Sequence, residues 1–352
     1  MQEEIEHPGL INHLTGSAGV GRLSLQMEIL AGLKEKPRRI PSKFFYDATG
    51  SALFEKITPL PEYYLTACEK EILSGLWDKL RLTGPDIRII ELGSGDGSKL
   101  MLLLDQLPPD RLKNIVYYPV DISAAAVRDA VKKLNDNFPG LRVGGILADF
   151  TKQLHLLPVG GTRIFCFFGS TIGNLDPDEA RNFMMQLGAV MKHGDHLLLG
   201  IDMVKEPVIL ENAYNDKQGV TARFNQNILQ VVNGLMEADF DPSMFAHEAF
   251  YNSEKQRVEM HLQARKEMLI KCGVNGSRIL ISEGETIHTE NSYKFSPCQI
   301  EDLGKAGGVR VKEIFADSKD WFGVVHFHKP AASFTSRQHP GLPEYQHQPQ
   351  NH

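Results

Sequence analysis

Between residues 86 and 204, short apolar runs alternate with amphipathic stretches, and this rhythm constrains the fold more than any other feature of the chain. DIRIIELG (86–93), IVYYPVDI (115–122), LRVGGILADF (141–150), RIFCFFGS (163–170) and HLLLGIDMV (196–204) are nearly continuous in apolar residues, the mark of strands buried on both faces. SKLMLLLDQL, SAAAVRDAVKKLNDNF and DPDEARNFMMQLGAVM lie between them with helical spacing, and Ser123 and Asp176 stand where helix caps are needed. Strands alternating with helices make a parallel sheet covered on both sides, with right-handed crossovers. The expected centre of the molecule is a doubly wound α/β domain.

After Val204 the rhythm changes. EPVILENAYND and TARFNQNILQVVNGLM read as helices, and FAHEAFYNSEKQRVEMHLQARKEML as a hairpin turning near Asn252-Ser253. ILISEGETIHTENSYKF supplies further strands around Gly284, then a helix (CQIEDLGKAG). VRVKEIFAD and WFGVVHFH are expected to close the sheet as an antiparallel pair. Ahead of the rhythm, residues 21–36 read as a short helix. The segment 40–73 is dense in aromatics: Phe44, Phe45, Tyr46, Tyr63 and Tyr64. Beside Pro and Gly such a cluster packs a core or lines a pocket, and both readings stay open. Residues 1–20 read as a flexible arm. Residues 330–352, rich in Pro, Gln and His, read as a disordered tail.

Composition bounds the function. With 352 residues, 42% hydrophobic and 23% charged, the chain can bury a full core. A net charge of −6 leaves no electrostatic footprint for nucleic acid or for an anionic membrane. No apolar run approaches the ~20 residues of a membrane span, and MQEEIEHPGL lacks the basic start of a secretory signal. The four cysteines (Cys68, Cys166, Cys272, Cys298) are scattered and form no CxxC pair, so reduced thiols and a cytoplasmic setting are expected. The sequence displays no metal-ligand cluster, and a monomer is expected.

Chemistry concentrates at the strand ends. Glu91-Leu92-Gly93-Ser94-Gly95-Asp96-Gly97-Ser98-Lys99 sits where the first strand turns into a helix, and its glycines let the backbone turn sharply and approach a ligand. A dinucleotide fingerprint is G-x-G-x-x-G, but here the spacing is G-x-G-x-G with Ser98 at the third dinucleotide position, which speaks against an NAD-dependent oxidoreductase. An acidic residue followed by G-x-G-x-G is the form seen in class I S-adenosylmethionine (SAM)-dependent methyltransferases. A tight turn with no ligand is the competing reading. Asp121 ends the second strand, where a carboxylate can accept both ribose hydroxyls, or can instead charge the start of the next helix. Asp149-Phe150 ends the third, an acid and an aromatic suited to an adenine ring. GSTIGN (169–174) ends the fourth, with Asn174 at the carboxyl edge where ligands of open α/β sheets bind. The cofactor-site candidates are therefore Gly93, Gly95, Lys99, Asp121, Asp149 and Phe150.

Over residues 36–328 the chain resembles the histidine-specific Nα-methyltransferases of ergothioneine biosynthesis and their wider family of SAM-dependent amino-acid Nα-methyltransferases. FFYDATGSALFEKITPLPEYYLT resembles the family's N-terminal signature. ELGSGDGSK, FFGSTIGNL, AYNDKQGVTARFNQNIL, RVEMHL and TENSYKF resemble its later blocks in order. Leu65 departs from the pattern, which more often has Pro after the Tyr pair; this bears on loop stiffness more than on chemistry.

The resemblance implies a class I methyltransferase (Rossmann-like) sheet, 68–204 plus 295–329, under a second, α+β substrate-binding domain built from 21–67 plus 205–294. It implies SAM as methyl donor, no metal, and L-histidine as the small-molecule substrate. The product would be the betaine hercynine, after three methyl transfers. By motif, Asn174 and Tyr214 would hold the substrate carboxylate and Tyr46 would stand near the amine. Tyr63, Glu290 and Ser292 would read the imidazole beside a wall formed by Met260. A carboxylate and a hydroxyl can bond both ring nitrogens, and analogues lacking them would leave those buried groups unpaired. Without the resemblance, Glu290 and Ser292, two apart on one strand face, read equally as a solvated edge. The nearest rival is an Nα-methyltransferase for tryptophan or another aromatic amino acid. A non-catalytic binding protein is a further alternative.

Overall fold

The computed structural model describes residues 9–13, 18–82, 86–274 and 276–331. A nine-stranded sheet forms its centre. The strand Ile87–Leu92 lies in the middle, flanked on one side by Ile115–Asp121 and on the other by Thr162–Phe167 and then His196–Asp202, all parallel. Phe322–His328 runs antiparallel beside His196–Asp202, and Arg310–Ala316 completes that edge. This is the Rossmann-like class I arrangement. The apolar runs are buried almost throughout, as their continuity demands: Ile89, Ile90, Val120, Phe165 and Leu199 are essentially inaccessible. Ser123 caps the helix Ala124–Asn137 through Ala126 N, and Asp176 with Glu179 forms a capping box at Pro177–Val190.

LRVGGILADF, expected as one strand, is two short ones, Arg142–Val143 and Ile146–Leu147, both paired in parallel with Ile115–Asp121. The cause lies in the neighbour. The carbonyls of Tyr117 and Asp121 accept from Gly144 and Ala148 on that side. By alternation Pro119 faces the same side between them, with no N–H to donate, and Gly144-Gly145 bow away at that point. Part of the expected flexible arm is also ordered. Ile11–Asn12 pairs in parallel with Ile146–Leu147 at the sheet edge, and the first helix already begins at Ala18. Residues 1–8 and 14–17 of that arm, and the tail beyond residue 331, lie outside the described residues.

A second sheet of four strands has the order Arg38–Arg39, Thr286–Tyr293, Arg257–Ala264, Phe245–Asn252. The last two form the expected hairpin. The helix Val220–Met236 packs across this sheet and against the Ala48–Ile57 helix, with Phe45 and Phe224 stacked at 4.5 Å. A bulge interrupts the pairing of Arg257–Ala264 with Thr286–Tyr293: Met260 faces Glu290 and His261 faces His288, leaving Thr289 unpaired. The extra residue changes side-chain parity. Glu290 and Ser292 share the face of Met260, while His288 and Asn291 share the opposite face with His261 and Glu259. Among the described residues no helix is long and apolar enough to cross a membrane.

Candidate active site

At the end of Ile87–Leu92 the loop Gly93–Gly97 carries positive φ at Gly93 (69°), Gly95 (52°) and Gly97 (72°). A Cβ at Gly95 would meet nothing within 4 Å, so this backbone borders open space. Asp121 accepts from Gly95 N at 3.3 Å and Ser123 N at 2.9 Å. It therefore charges the start of the next helix and also ties the loop to the second strand. Burial pushes its carboxyl above the ordinary range, against the pull of those N–H donors. Phe150 stands edge-on to Phe167 at 5.5 Å and lies 3.5 Å from where a Gly93 Cβ would be, forming one wall of the loop. Asp149 turns part of its carboxylate to Thr151 N at 3.0 Å. Lys99 reaches Glu69 at 2.7 Å, whose other oxygen accepts Gly169 N at 2.7 Å. Glu69 is fully buried and joins three elements beneath the loop; nothing in its local sequence (ACEKE) marks it out. The residues present fit an adenosyl donor: a glycine loop open on one side, a carboxylate at the second strand end, an aromatic wall at the third.

The other predicted residues gather beside this edge. Tyr214, at the end of helix Pro207–Tyr214, bonds Ser292 at 2.6 Å. Asn174, on the short turn Thr171–Asn174, donates to the carbonyl of Asn291 at 2.9 Å, and its amide favours the ionised form of the Glu290 carboxylate. Tyr63 meets Tyr214 edge-on at 6.4 Å, and Tyr46 meets Phe54 at 5.9 Å and Phe224 at 6.0 Å. The dense aromatics thus divide. Phe44, Phe45 and Tyr64 are core, whereas Tyr46 is 46% exposed and Tyr63 partly exposed. Protein crowding around Tyr46, with Glu290, Tyr214 and Asp121 as neighbouring acids, holds its hydroxyl neutral. Those neighbouring acids belong to both clusters, Asp121 to one and Glu290 and Tyr214 to the other. Glu290 is pushed up to about 7 by burial, opposed by Lys294 and Asn174. The residues assigned to carboxylate and imidazole interleave in pairs, Tyr214 with Ser292 and Asn174 with Glu290, rather than lying at two separate ends.

Sequence reasoning missed a buried charged network below these residues. Asp202, inaccessible to solvent, receives Lys294 at 2.7 Å, Lys205 at 2.5 Å and the Tyr64 hydroxyl at 2.8 Å. Lys294 stands in TENSYKF and Tyr64 in the Tyr pair, so motif membership was the available signal; for Asp202 it was an acid at the carboxyl end of a buried strand, HLLLGID. The fold also gathers Glu259, His261 and His288 on the opposite face of the small sheet, their ligand atoms within 4.8 Å of one another, a cluster invisible in the sequence. Arg257 already bonds Glu259 at 2.9 Å, and Lys36, Arg39 and Lys255 line the cavity beside it.

A parallel sheet in this order, with a glycine loop and a strand-end carboxylate at its carboxyl edge, defines a class I SAM-dependent methyltransferase. A family model described as histidine-specific, SAM-dependent methyltransferase matches residues 25–329. The chain belongs to that family. A histidine N-alpha-methyltransferase of Mycobacterium tuberculosis is 39% identical over 303 residues, 86% of this chain and 93% of that protein. One from Mycolicibacterium smegmatis is 36% identical, spanning 90% and 97%. Ergothioneine biosynthesis protein 1 of Schizosaccharomyces pombe is 30% identical over 247 residues, 67% of this chain and 32% of that protein.

Proposed function

We propose that the protein transfers methyl groups from SAM to the α-amino group of L-histidine, three in succession, giving hercynine on the way to ergothioneine. The observation that carries the substrate reading is Glu290. It is a carboxylate held beside Met260 and Asn174, with the Tyr214–Ser292 hydroxyl pair on the same side of the pocket. That set of donors and acceptors matches imidazole, which has two nitrogens to satisfy, better than indole, which has one N–H. Support also comes from the relatives named histidine N-alpha-methyltransferase, which this chain matches over most of its length.

In this reading Gly93, Gly95, Lys99, Asp121, Asp149 and Phe150 hold the donor. Asn174 and Tyr214 fix the amino-acid carboxylate, and Tyr63, Met260, Glu290 and Ser292 fix the ring. Fixing carboxylate and ring from these neighbouring pairs directs the amine toward the sulfonium, which supplies an activated methyl group. The amine must lose a proton before each transfer. Tyr46, its hydroxyl neutral, would pass it to water. Its ring, beside Phe54 and Phe224, offers an aromatic face to the single ammonium charge that forms at each transfer. The division into a donor-binding part (68–204 plus 295–329) and a substrate part (21–67 plus 205–294) belongs to the same reading. So do a cytoplasmic monomer, catalysis without a metal, and no nucleic-acid or membrane partner.

Calorimetric titration of L-histidine and L-tryptophan, each with S-adenosylhomocysteine (SAH) present, tests it. Mass spectrometry of turnover then counts the methyl groups. Histidine binding with a gain of three methyl masses is expected. Tryptophan binding instead would overturn the imidazole reading, and failure to bind SAH would overturn methyl transfer.

A further inference from the structure

Lys294 has no exposed surface, and each of its ammonium hydrogens is committed. Nζ lies 2.7 Å from Asp202 Oδ2, 2.7 Å from Ser292 Oγ and 3.2 Å from Tyr214 Oη. The same two hydroxyls bond each other at 2.6 Å. An ammonium only donates, so Lys294 occupies an acceptor position on both oxygens. The pair holds two hydroxyl hydrogens, and one of them is used between the oxygens. Whichever oxygen donates that bond, a single hydrogen remains, and with Lys294 protonated it is free to point away from the ammonium.

We propose that Lys294 is a positioning residue of the amino-acid site, which fixes the Tyr214–Ser292 pair as a one-hydrogen donor toward an acceptor atom of the substrate, its carboxylate or an unprotonated ring nitrogen. The proposal rests on the reading that this pocket takes an amino acid.

The rest of the network serves the same end. Asp202 is anchored independently: its Oδ1 takes Lys205 and Tyr64, Lys205 also bonds the Met203 carbonyl, and Asp202 N bonds Ser170 Oγ. Lys294 is thus pulled from below while its hydrogens reach upward to the pair. Its own backbone N–H is held by the Gln256 carbonyl at 2.8 Å, beside the hairpin turn. Two lysines facing one aspartate leave a surplus positive charge, which an ionised Glu290 or a bound carboxylate would offset. The groups facing Glu290 are Lys294, Asn174, Tyr46, Tyr63 and Tyr214, and Lys294 is the cation among them. Removing it therefore makes ionisation of Glu290 harder.

The test is Lys294→Met compared with wild type in steady-state methylation of L-histidine across pH 6–9. We expect KM for histidine to rise by about tenfold or more, the loss of one charge-assisted contact set, while KM for SAM stays within about twofold. The rising limb of kcat/KM for histidine, carried by Glu290, moves to higher pH. A histidine KM within about twofold of wild type, or a pH profile that does not move, overturns the proposal. If Lys294→Met does not fold, Lys294→Gln, a neutral amide whose oxygen can accept the hydroxyl hydrogen and which leaves Asp202 paired with Lys205, decides by the same readings. Failure of the histidine reading looks different: wild type would bind SAH yet leave histidine unmethylated, and this proposal would fall with it.

Discussion

At Glu290 burial and charge oppose one another. Burial raises its carboxyl to about 7, whereas Lys294 and Asn174 favour the anion. Relative to an unfolded pKa near 4.5, the folded state resists ionisation. Below 4.5 both states are protonated and the residue costs nothing. Between 4.5 and about 7 the penalty grows, and above about 7 it is complete. Glu290→Gln should therefore stabilise the ligand-free protein by about 1–3 kcal/mol at pH 8 and by nothing measurable at pH 4. Urea titrations at the two pH values would check this, and an equal gain at both would refute the electrostatic cause. The same variant should lose histidine turnover by about a hundredfold or more, since an amide cannot replace a carboxylate facing an imidazolium. Glu290, Ser292, Tyr214 and Asn174 were legible as separate residues because they stand in long motifs. Their pairing was not, because it depends on how two sheets meet.

At the scale of elements, the bulge at Thr289 decides which residues face the pocket. Without it Glu290 would turn to the face of His261, since one residue of slip exchanges the sides of a strand. Asn225 secures this bulge from the helix Val220–Met236. Fully buried, it accepts from Thr289 Oγ1 at 2.7 Å, donates to the His261 carbonyl at 2.9 Å, and meets His247 Nδ1 at 2.9 Å. Since Asn225 donates there, His247 carries its proton on Nε2 and gives it to the Tyr214 carbonyl at 2.9 Å. One amide thus sets both Glu290 and Tyr214. Asn225→Ala should cost about 2–4 kcal/mol and raise KM for histidine more than KM for SAM. Denaturation and a KM comparison would show it; equal effects on both KM values would contradict the coupling. Periodicity revealed the strands and the hairpin but not this bulge, because two-residue alternation is visible in a sequence only when it is unbroken. Nor did it show the break opposite Pro119, where a buried apolar run reads as continuous. The pairing of Ile11–Asn12 was equally hidden, since two residues carry no period.

Across the whole molecule, the proposed donor site draws on the large sheet alone, whereas the proposed amino-acid site draws on both sheets and the helices between them. Gly93, Asp121, Asp149 and Phe150 all stand on the carboxyl edge of strands or their first turns. Glu290 and Ser292 come from the small sheet, Asn174 from a turn after a strand of the large one, and Tyr46 and Tyr63 from the segment between Arg38–Arg39 and Ile87–Leu92. Damage to the packing between the sheets should therefore remove histidine binding before SAH binding. SAH at a hundred times its dissociation constant stabilises the folded state by about 2.7 kcal/mol. Unfolding entropy grows with chain length, so for a chain of this size that amounts to a rise of about 3–4 °C in Tm. Wild type and Asn225→Ala should show the same rise with SAH alone. Adding histidine should raise wild type further and the variant little. Asp121→Ala should behave the other way, losing the SAH-induced rise while the protein still folds, since the groups its carboxylate holds are backbone N–H groups of neighbouring turns, those of Gly95, Ile122 and Ser123. Thermal scans of the three proteins with no ligand, SAH, and SAH plus histidine separate the cases. A loss of the SAH response in Asn225→Ala would mean that the two sites share one cooperative unit, and the separation of donor and substrate parts would fail.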